Sequence, residues 1–294
     1  MADKDGNKMA KNYFLDTPVK SQGFYVKGMD NAGWGMKKRL SKIFNEESGN
    51  TVMLAFDHGY IMGATAGLER LDLYIDPLVD YIDVLMATRG ALRTSINPST
   101  DKSVCLRATH DSSILFDDMS VGSGIGVNME DALRINADAL AIQCFIGAQG
   151  EARSLDVLCR AVDSGEKYCM PIMAVTAVGK EMERTNKYFM LATRLLSELG
   201  AHMIKTYYCE DFENIVAACP VPIVIAGGKK VEEREALEMA YKAINSGARG
   251  VDMGRNIFQS KSPVGMAKAI NKVVHENYTS SQAYELFLDI LNEK

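Results

Sequence analysis

The sequence predicts an α/β protein folded as a single closed (β/α)8 barrel. Eight apolar runs alternate with amphipathic segments along the 294-residue chain. The runs are continuously apolar rather than strictly alternating, which is typical of parallel strands covered on both faces. Eight such units in a chain of this length favour a closed barrel over an open doubly wound sheet.

The predicted strands are short apolar runs, most of which end in a polar residue or a glycine. They cover residues 51–59, 83–90, 103–111, 139–147, 170–180, 202–208, 221–230 and 249–256. The helices predicted between them include residues 67–82, 131–137, 151–165, 186–200 and 230–247, where apolar residues recur every three or four positions. Gly165, Gly200 and Gly247 stand where helix C-caps belong.

These units set the predicted domain boundaries. Residues 51–275 form the TIM barrel, residues 1–50 an N-terminal extension and residues 276–294 a C-terminal helical tail. We expect both extensions to pack on the barrel or on neighbouring subunits. The segment VGSGIG at 121–126 is predicted to be a flexible loop, because it does not join a strand directly to a helix as a nucleotide-binding loop does.

Composition argues against several classes of protein. The net charge is −5 with no basic stripe, so nucleic acid is not an expected partner. No apolar run reaches the roughly 18 residues of a membrane span, and the polar N-terminal segment predicts a cytoplasmic protein. The six cysteines and four histidines show no metal-ligand spacing, so we expect neither a metal site nor a bound cofactor.

The chemistry of such barrels lies at the carboxyl ends of the strands. In this sequence those ends carry many ionisable and small residues. They are Asp57, His58, Arg89, Arg107, His110, Thr176, Lys180, Lys205, Tyr207, Gly227, Gly228, Lys229, Gly254 and Arg255.

Lys205 is the most unusual of these residues, because it lies in the apolar and aromatic run AHMIKTYY. Lysine is rarely buried unless it is paired or useful. Burial favours its neutral amine, and neighbouring cations such as Arg255 or Lys180 would increase that effect. A neutral amine attacks a carbonyl to form an iminium, which promotes cleavage of the next carbon–carbon bond without a metal. The alternative is a packed stem with the ammonium in solvent.

The period of a strand decides which way this lysine points. Met203, Lys205 and Tyr207 share one face of the sixth strand, and residues 204 and 206 share the other. We expect the first set to face the barrel axis.

Two glycine–cation pairs at the ends of the last two strands predict a phosphate site. AGGKK follows the seventh strand and MGRN follows the eighth, where barrels commonly bind phosphate. Gly227 and Gly228 would let backbone N–H groups approach phosphate oxygens, and Arg255 would add a bidentate cation. The alternative is a pair of tight turns with surface charges.

The strings MLAFDHG, IKTYY, PIVIAGGKK and GVDMGRNIFQS resemble the archaeal-type class I fructose-bisphosphate aldolase family over about residues 40–275. The resemblance implies that Lys205 is the Schiff-base lysine. It also implies that Asp57 and His58 handle protons. The implied phosphate ligands are Gly227, Gly228, Gly254 and Arg255.

One departure distinguishes this chain from the aldolases of that family. They carry an acid/base tyrosine in a YPRG-like string after the fifth strand, where this chain has VTAVGK with Thr176. The strings GMKKRL, DVLMATRGALR and MAVTAVGK are more similar to a thiolase branch of the family. This closer resemblance implies a phosphorylated five-carbon dione and coenzyme A as substrates in autoinducer-2 breakdown, and a homo-oligomer, a decamer in close relatives.

Two other functions stay open at this point. One is a class I aldolase acting on a phosphorylated ketose, and the other is a non-catalytic phosphoester-binding protein. Because conventional thiolases acylate a cysteine, Cys209 is also a candidate nucleophile, although the sequence supplies no base or cation to activate it.

Overall fold

The computed structural model describes residues 12, 14–18, 23–179 and 182–293. Its strands are β1 (Thr51–Ala55), β2 (Val84–Ala87), β3 (Ser103–Arg107), β4 (Thr109–His110), β5 (Gly124–Ile125), β6 (Ala139–Ile146), β7 (Ile172–Val178), β8 (Met203–Tyr207), β9 (Ile223–Ala226) and β10 (Gly250–Met253). Eight of them form a closed parallel barrel in the order β1-β2-β3-β6-β7-β8-β9-β10, and β10 pairs back with β1. The predicted (β/α)8 barrel is confirmed.

Helices connect the strands and cover the barrel. They are α1 (Trp34–Ile43), α2 (Gly59–Met62), α3 (Leu71–Tyr74), α4 (Arg89–Ser95), α5 (Met129–Arg134), α6 (Glu151–Tyr168), α7 (Asn186–Glu198), α8 (Phe212–Ala218), α9 (Glu233–Asn245), α10 (Arg255–Phe258), α11 (Pro263–Glu276) and α12 (Ser280–Asn292). The longer helices each bury one apolar face, as the three- to four-residue spacing predicted.

The segment predicted as one helix over 67–82 is divided in the structure. It contains α3 and then a separate 3₁₀ turn, Asp76–Tyr81. Pro77 lies in the first turn of the 3₁₀ segment. Because proline lacks an N–H and disfavours helical backbone in the residue before it, α3 cannot continue through this point.

Two of the three predicted C-cap glycines are confirmed. Gly200 and Gly247 follow α7 and α9 with φ of +96° and +95°. Gly165 is different, because α6 continues past it to Tyr168. A Cβ on Gly165 would lie 2.6 Å from the carbonyl oxygen of Met170, so this glycine lets the helix pack closely on the chain that enters β7.

The two ends of the barrel are covered differently. At the amino end, α1 packs beside β3, whose Ser103 hydroxyl donates to the Lys42 carbonyl at 2.8 Å. At the carboxyl end, the segment 121–126 was predicted to be a flexible loop. In the structure it contributes to a 3₁₀ turn and to β5, and β5 pairs antiparallel with β4. The C-terminal helix α12 packs on α9 and α11.

The closure of the barrel depends on a glycine at the start of its last strand. Gly250 pairs with Thr51 and has φ of +144°. A Cβ there would lie 2.0 Å from the Thr51 carbonyl oxygen. We predict that Gly250→Ala lowers the free energy of unfolding by roughly 2–4 kcal/mol, because it combines backbone strain with a steric clash.

Urea denaturation measures this change, and Gly90→Ala is the matched control. Gly90 lies in α4, where an added Cβ meets nothing closer than 3.9 Å. Equal stability of the two variants would contradict the role assigned to Gly250.

Candidate active site

A cavity of about 350 Å³ opens at the carboxyl end of the barrel. All seven site residues named from the sequence line it. Its polar and glycine lining includes Asp57, His58, Tyr60, Arg107, Gln143, Thr176, Arg184, Lys205, Tyr207, Gly227, Gly228, Asp252, Gly254 and Arg255. The rim residues Arg89, His110 and Lys229 do not line it.

The Lys205 amine lies inside this cavity and not in bulk solvent. The residue is only 8% exposed, and its Nζ lies 2.9 Å from Asp252 Oδ2 and 3.4 Å from Met86 Sδ. Tyr207 lines the same cavity, whereas residues 204 and 206 do not. The inward orientation expected for Lys205 and Tyr207 on the sixth barrel strand, β8, agrees with this lining, in which Met203 takes no part.

The charged partner of Lys205 is a carboxylate, that of Asp252, and the expected neighbouring cation Arg255 lines the same cavity. Lys180 lies outside the described residues. Burial raises the pKa of Asp252, although Lys205 acts in the opposite direction. Asp252 is thus suited to accept a proton from the ammonium. An aspartate in the apolar run GVDMG is as anomalous as a lysine in MIKTY, so the same argument could have found it.

Asp57 is held in its ionised form by an arginine. The Nε and Nη2 of Arg107 both lie 2.7 Å from Asp57 Oδ2, and Arg107 Nη1 donates to Gln143 at 3.0 Å. Burial alone would raise the pKa of Asp57, but Arg107 and Lys205 outweigh it and the net shift is downward. Asp57 therefore presents a fixed negative charge to the cavity.

His58 is held in its neutral form. Burial lowers its pKa, and the nearby Arg255 and Lys205 lower it further against the opposing effect of Asp57. Its Nε2 lies 3.1 Å from the Thr65 hydroxyl, and its ring stacks on Phe258 with centroids 5.8 Å apart. A neutral imidazole in this position can either accept or donate a proton.

The last two barrel strands bring their glycines together. Asn256 connects the two loops, since its side-chain amide donates to the Gly227 carbonyl at 2.7 Å. Gly228 has φ of +68°, and a Cβ on Gly254 would lie 2.1 Å from the Ala55 carbonyl oxygen. Both positions therefore require glycine, Gly228 because of its left-handed backbone and Gly254 because the Ala55 carbonyl occupies the place of a Cβ.

Arg184 is a cation at this end that sequence reasoning missed. Its guanidinium carbon lies 3.9 Å from the centre of the Tyr207 ring, and its Nη1 lies 3.9 Å from the Cβ position of Gly228. The stacking fixes the guanidinium over the aromatic face and beside the glycine loop. No local pattern in the sequence marks this contact, because it joins a residue of the loop before α7 to the end of β8.

Cys209 lies outside the cavity lining. Its thiol donates to the Glu210 carbonyl at 3.3 Å. Burial raises its pKa, and the carboxylates of Asp211 and Glu210 add to the shift. These surroundings disfavour a thiolate, so the structure argues against Cys209 as the nucleophile.

Within the described part of the chain, no three histidine, cysteine or acidic side chains are grouped as metal ligands would be. None of the described helices combines the length and apolar character needed to cross a membrane.

The site is of the aldolase type: a buried lysine paired with a carboxylate lies at the carboxyl end of a closed parallel barrel. The chain belongs to the DeoC/LacD aldolase family, whose model matches residues 51–260. The chain is 54% identical over 290 residues to an uncharacterized aldolase of Pasteurella multocida (strain Pm70), covering 98% of this chain and 99% of that protein. It is also 54% identical over 289 residues, with the same coverage, to the 3-hydroxy-5-phosphonooxypentane-2,4-dione thiolase of Photorhabdus laumondii.

The fold comparison agrees with this assignment. The crystal structure of an archaeal fructose 1,6-bisphosphate aldolase matches with a TM-score of 0.73 at 24% identity, covering 82% of this chain and 99% of that chain. The resemblance inferred from short sequence strings is thereby confirmed at the level of family and fold.

The Asp57–Arg107 pair gives a test of these electrostatics. We predict that Arg107→Leu lowers the free energy of unfolding at pH 7 by about 3–5 kcal/mol, because it leaves a buried carboxylate without its partner. In the wild type the pKa of Asp57 is lowered, so its pairing stabilises the fold above the unfolded value of about 3.9 and is lost as the pH falls. In the variant, burial raises that pKa.

The difference in stability between the two proteins should therefore be largest near pH 7 and shrink toward pH 5. Urea denaturation at both pH values measures it. Arg160→Leu is the control, because its ion pair with Asp156 is exposed. A pH-independent difference would contradict this account.

Proposed function

We propose that the protein is a thiolase that transfers an acetyl group from 3-hydroxy-5-phosphonooxypentane-2,4-dione to coenzyme A in autoinducer-2 degradation. The products are dihydroxyacetone phosphate and acetyl-CoA. The observation that carries the proposal is the Lys205 amine, paired with Asp252 in a cavity that also has a glycine- and arginine-lined end. Identity of 54% over nearly the whole chain to a thiolase of that name supports the substrate.

The first stage forms the Schiff base. The Lys205 ammonium gives a proton to Asp252, and the neutral amine attacks the carbonyl beside the phosphate-bearing carbon. His58, a neutral imidazole, moves the proton that allows the carbinolamine to lose water. The fixed charge of Asp57 stabilises the iminium, which is positive. Lys205 remains covalently attached to the substrate through the next stage.

The second stage transfers the acyl group. The thiol of coenzyme A attacks the other carbonyl, at the methyl end, and the bond from that carbonyl to the hydroxyl-bearing carbon breaks. Its electron pair moves into the iminium to give an enamine. Protonation of the enamine carbon and hydrolysis of the imine release dihydroxyacetone phosphate.

The phosphate is assigned to the end of the cavity where two arginines meet the glycines. Gly227, Gly228 and Gly254 would contribute backbone N–H groups, and Arg255 supplies the bidentate cation. Arg184 stacks beside Gly228 and adds a second cation. This arrangement would hold the substrate with its adjacent carbonyl directed at Lys205.

The decisive experiment is mass spectrometry of products formed from the phosphorylated dione with and without coenzyme A. We expect acetyl-CoA and dihydroxyacetone phosphate only when coenzyme A is present. Equal turnover without coenzyme A would indicate an aldolase acting on the phosphorylated substrate. The absence of both turnover and a borohydride-trapped adduct would indicate a phosphoester-binding protein.

The role of Lys205 has a separate test. We predict that Lys205→Ala and Lys205→Arg both fold but lose nearly all turnover, because neither can form an imine and a guanidinium stays protonated. In the wild type, borohydride should attach the substrate skeleton to Lys205 as a secondary amine, located by peptide mass spectrometry. Lys229→Arg is the control, since Lys229 does not line the cavity. An adduct on Lys229, or an active Lys205→Arg variant, would contradict the assignment of Lys205 as the Schiff-base lysine.

The phosphate assignment predicts a binding defect. We expect Arg255→Ala to weaken substrate binding roughly ten- to a hundred-fold, because a charge-assisted bidentate contact contributes about 1.5–3 kcal/mol. The measurement is KM and kcat for the phosphorylated dione. Arg249→Ala removes an exposed arginine at the opposite end of β10 and should change neither constant. Unchanged constants in Arg255→Ala would remove this residue from the phosphate site.

We further propose a cytoplasmic homo-oligomer, with a decamer as the expected size. Trp34 in α1 and Leu191 in α7 are 79% and 57% exposed, and contacts between subunits would cover such apolar side chains. Native mass spectrometry that found only the 32.3 kDa chain would rule out the oligomer.

A further inference from the structure

The proposed reaction releases one proton and consumes one at different atoms. The thiol of coenzyme A must lose its proton before sulfur attacks, and the enamine carbon must later gain one. Asp57 is held in its ionised form by Arg107, and His58 already serves the carbinolamine step of the proposed reaction. Thr176, within β7, lies where the resemblance to the aldolases places their tyrosine, and it has no comparable acid/base group. Another group must therefore carry this proton.

Tyr60 is a second acid/base candidate within the cavity lining. It lies in α2, directly after the Asp57–His58 segment, and its phenol donates a hydrogen bond to Asp111 Oδ2. Burial raises the pKa of Tyr60, and the Asp111 carboxylate raises it further against the effect of Arg107. The phenol therefore keeps its proton at neutral pH and can pass it on only as it receives another.

Asp111 stands behind Tyr60 as seen from the cavity. It is not part of the lining, so the phenol separates it from any bound substrate. Its other oxygen, Oδ1, is buried and has no hydrogen-bond partner among the described residues. The guanidinium of Arg107 lies 5.8 Å from the centre of the Tyr60 ring, which places a fixed positive charge beside the pair. A carboxylate with spare acceptor capacity is thus connected to the cavity through one hydroxyl group.

We propose that Tyr60 and Asp111 form a two-residue proton relay that takes the proton of the coenzyme A thiol and returns it to carbon. This inference rests on the proposed function. In the forward direction the thiol proton moves to the Tyr60 oxygen while the phenol hydrogen moves to Asp111 Oδ2. The thiolate then attacks the methyl-end carbonyl, and the electron pair of the broken carbon–carbon bond enters the enamine.

The return transfer completes the cycle. Asp111 gives its proton back to the Tyr60 oxygen while the phenol hydrogen moves to the enamine carbon. One proton leaves sulfur and one arrives at carbon, so the relay ends in its starting state and the proton balance requires no external acid or base. Lys205 and its iminium take no part in these two transfers.

The test separates imine formation from thiolysis in the full-length protein. Tyr60→Phe and Asp111→Asn should still give borohydride-trapped adduct on Lys205 at nearly the wild-type level. Formation of acetyl-CoA should fall by about 10²–10⁴-fold, the usual contribution of general acid–base catalysis. The side-chain oxygen of the Asp111→Asn variant can still accept the hydrogen bond from the Tyr60 phenol. This variant therefore tests proton transfer while the hydrogen bond is kept.

A pH profile adds a signature that a purely structural role would not give. An unperturbed thiol has a pKa of about 8.5. Thiolysis by Tyr60→Phe should therefore rise steeply between pH 7 and pH 9, because solution then supplies the thiolate, whereas the wild type should change less. Tyr25→Phe is the control, since it removes a phenol hydrogen bond to Phe44 outside the cavity.

The possible outcomes distinguish failure of the relay from failure of the proposed function. Wild-type thiolysis in Tyr60→Phe, or equal loss of trapping and thiolysis in both variants, would overturn the relay while the proposed function stands. Failure of the wild type to form acetyl-CoA would overturn the proposed function and the relay with it. Retained trapping with lost thiolysis and rescue at high pH would support the relay.

Discussion

Burying an ammonium beside a carboxylate is the constraint on which the carboxyl end of this barrel depends. Lys205 and Asp252 lie 2.9 Å apart, and the Asp252 side chain is fully buried. Removing either charge from water is costly, and the mutual attraction offsets that cost only while both partners stay in place. The Asp57–Arg107 pair lines the same cavity with the same kind of arrangement. Two ion pairs of opposite charges thereby let four charged groups lie together in one largely buried cavity.

The pairs also divide the chemistry. Arg107 cannot give up its proton, so Asp57 stays ionised. Under the proposed function, Asp57 acts through its charge, whereas Lys205 transfers its proton to Asp252 and becomes a nucleophile. The proposed mechanism therefore combines one static pair with one that exchanges a proton. Arg107, Lys205 and Asp252 lie in barrel strands, and Asp57 lies two residues after the end of β1.

The sequence predicted the features that depend on local pattern. The strands follow from continuous apolar runs, and Lys205, Gly227 and Gly228 stand out because their residue types conflict with a buried strand or an ordinary loop. The division of the 67–82 helix was also within reach, since Pro77 marks it. Asp252 was overlooked, although the argument that identified Lys205 applies to it equally.

Other contacts could not be inferred from one sequence. Tyr60 meets Asp111 across 51 positions, and Arg184 meets Tyr207 of β8 through the placement of the loop before α7. Such pairs are set by how loops fold over the barrel rather than by periodicity. The position of α1 beside β3 could not be predicted either, because no residue in either segment indicates which element it packs against.

The stacking of Arg184 on Tyr207 fixes the distance between a cation and the Lys205 amine. Tyr207 is two residues beyond Lys205 on β8, so about 6.6 Å of strand separates their α-carbons. One rigid strand thereby fixes both the amine and the aromatic platform under a phosphate-side cation. Under the proposed function, this fixed span selects compounds by length: a carbonyl next to the phosphate-bearing carbon reaches the amine, whereas a carbonyl several carbons farther along would overshoot it. Discrimination of this kind comes from backbone geometry and requires no group that recognises the rest of the substrate.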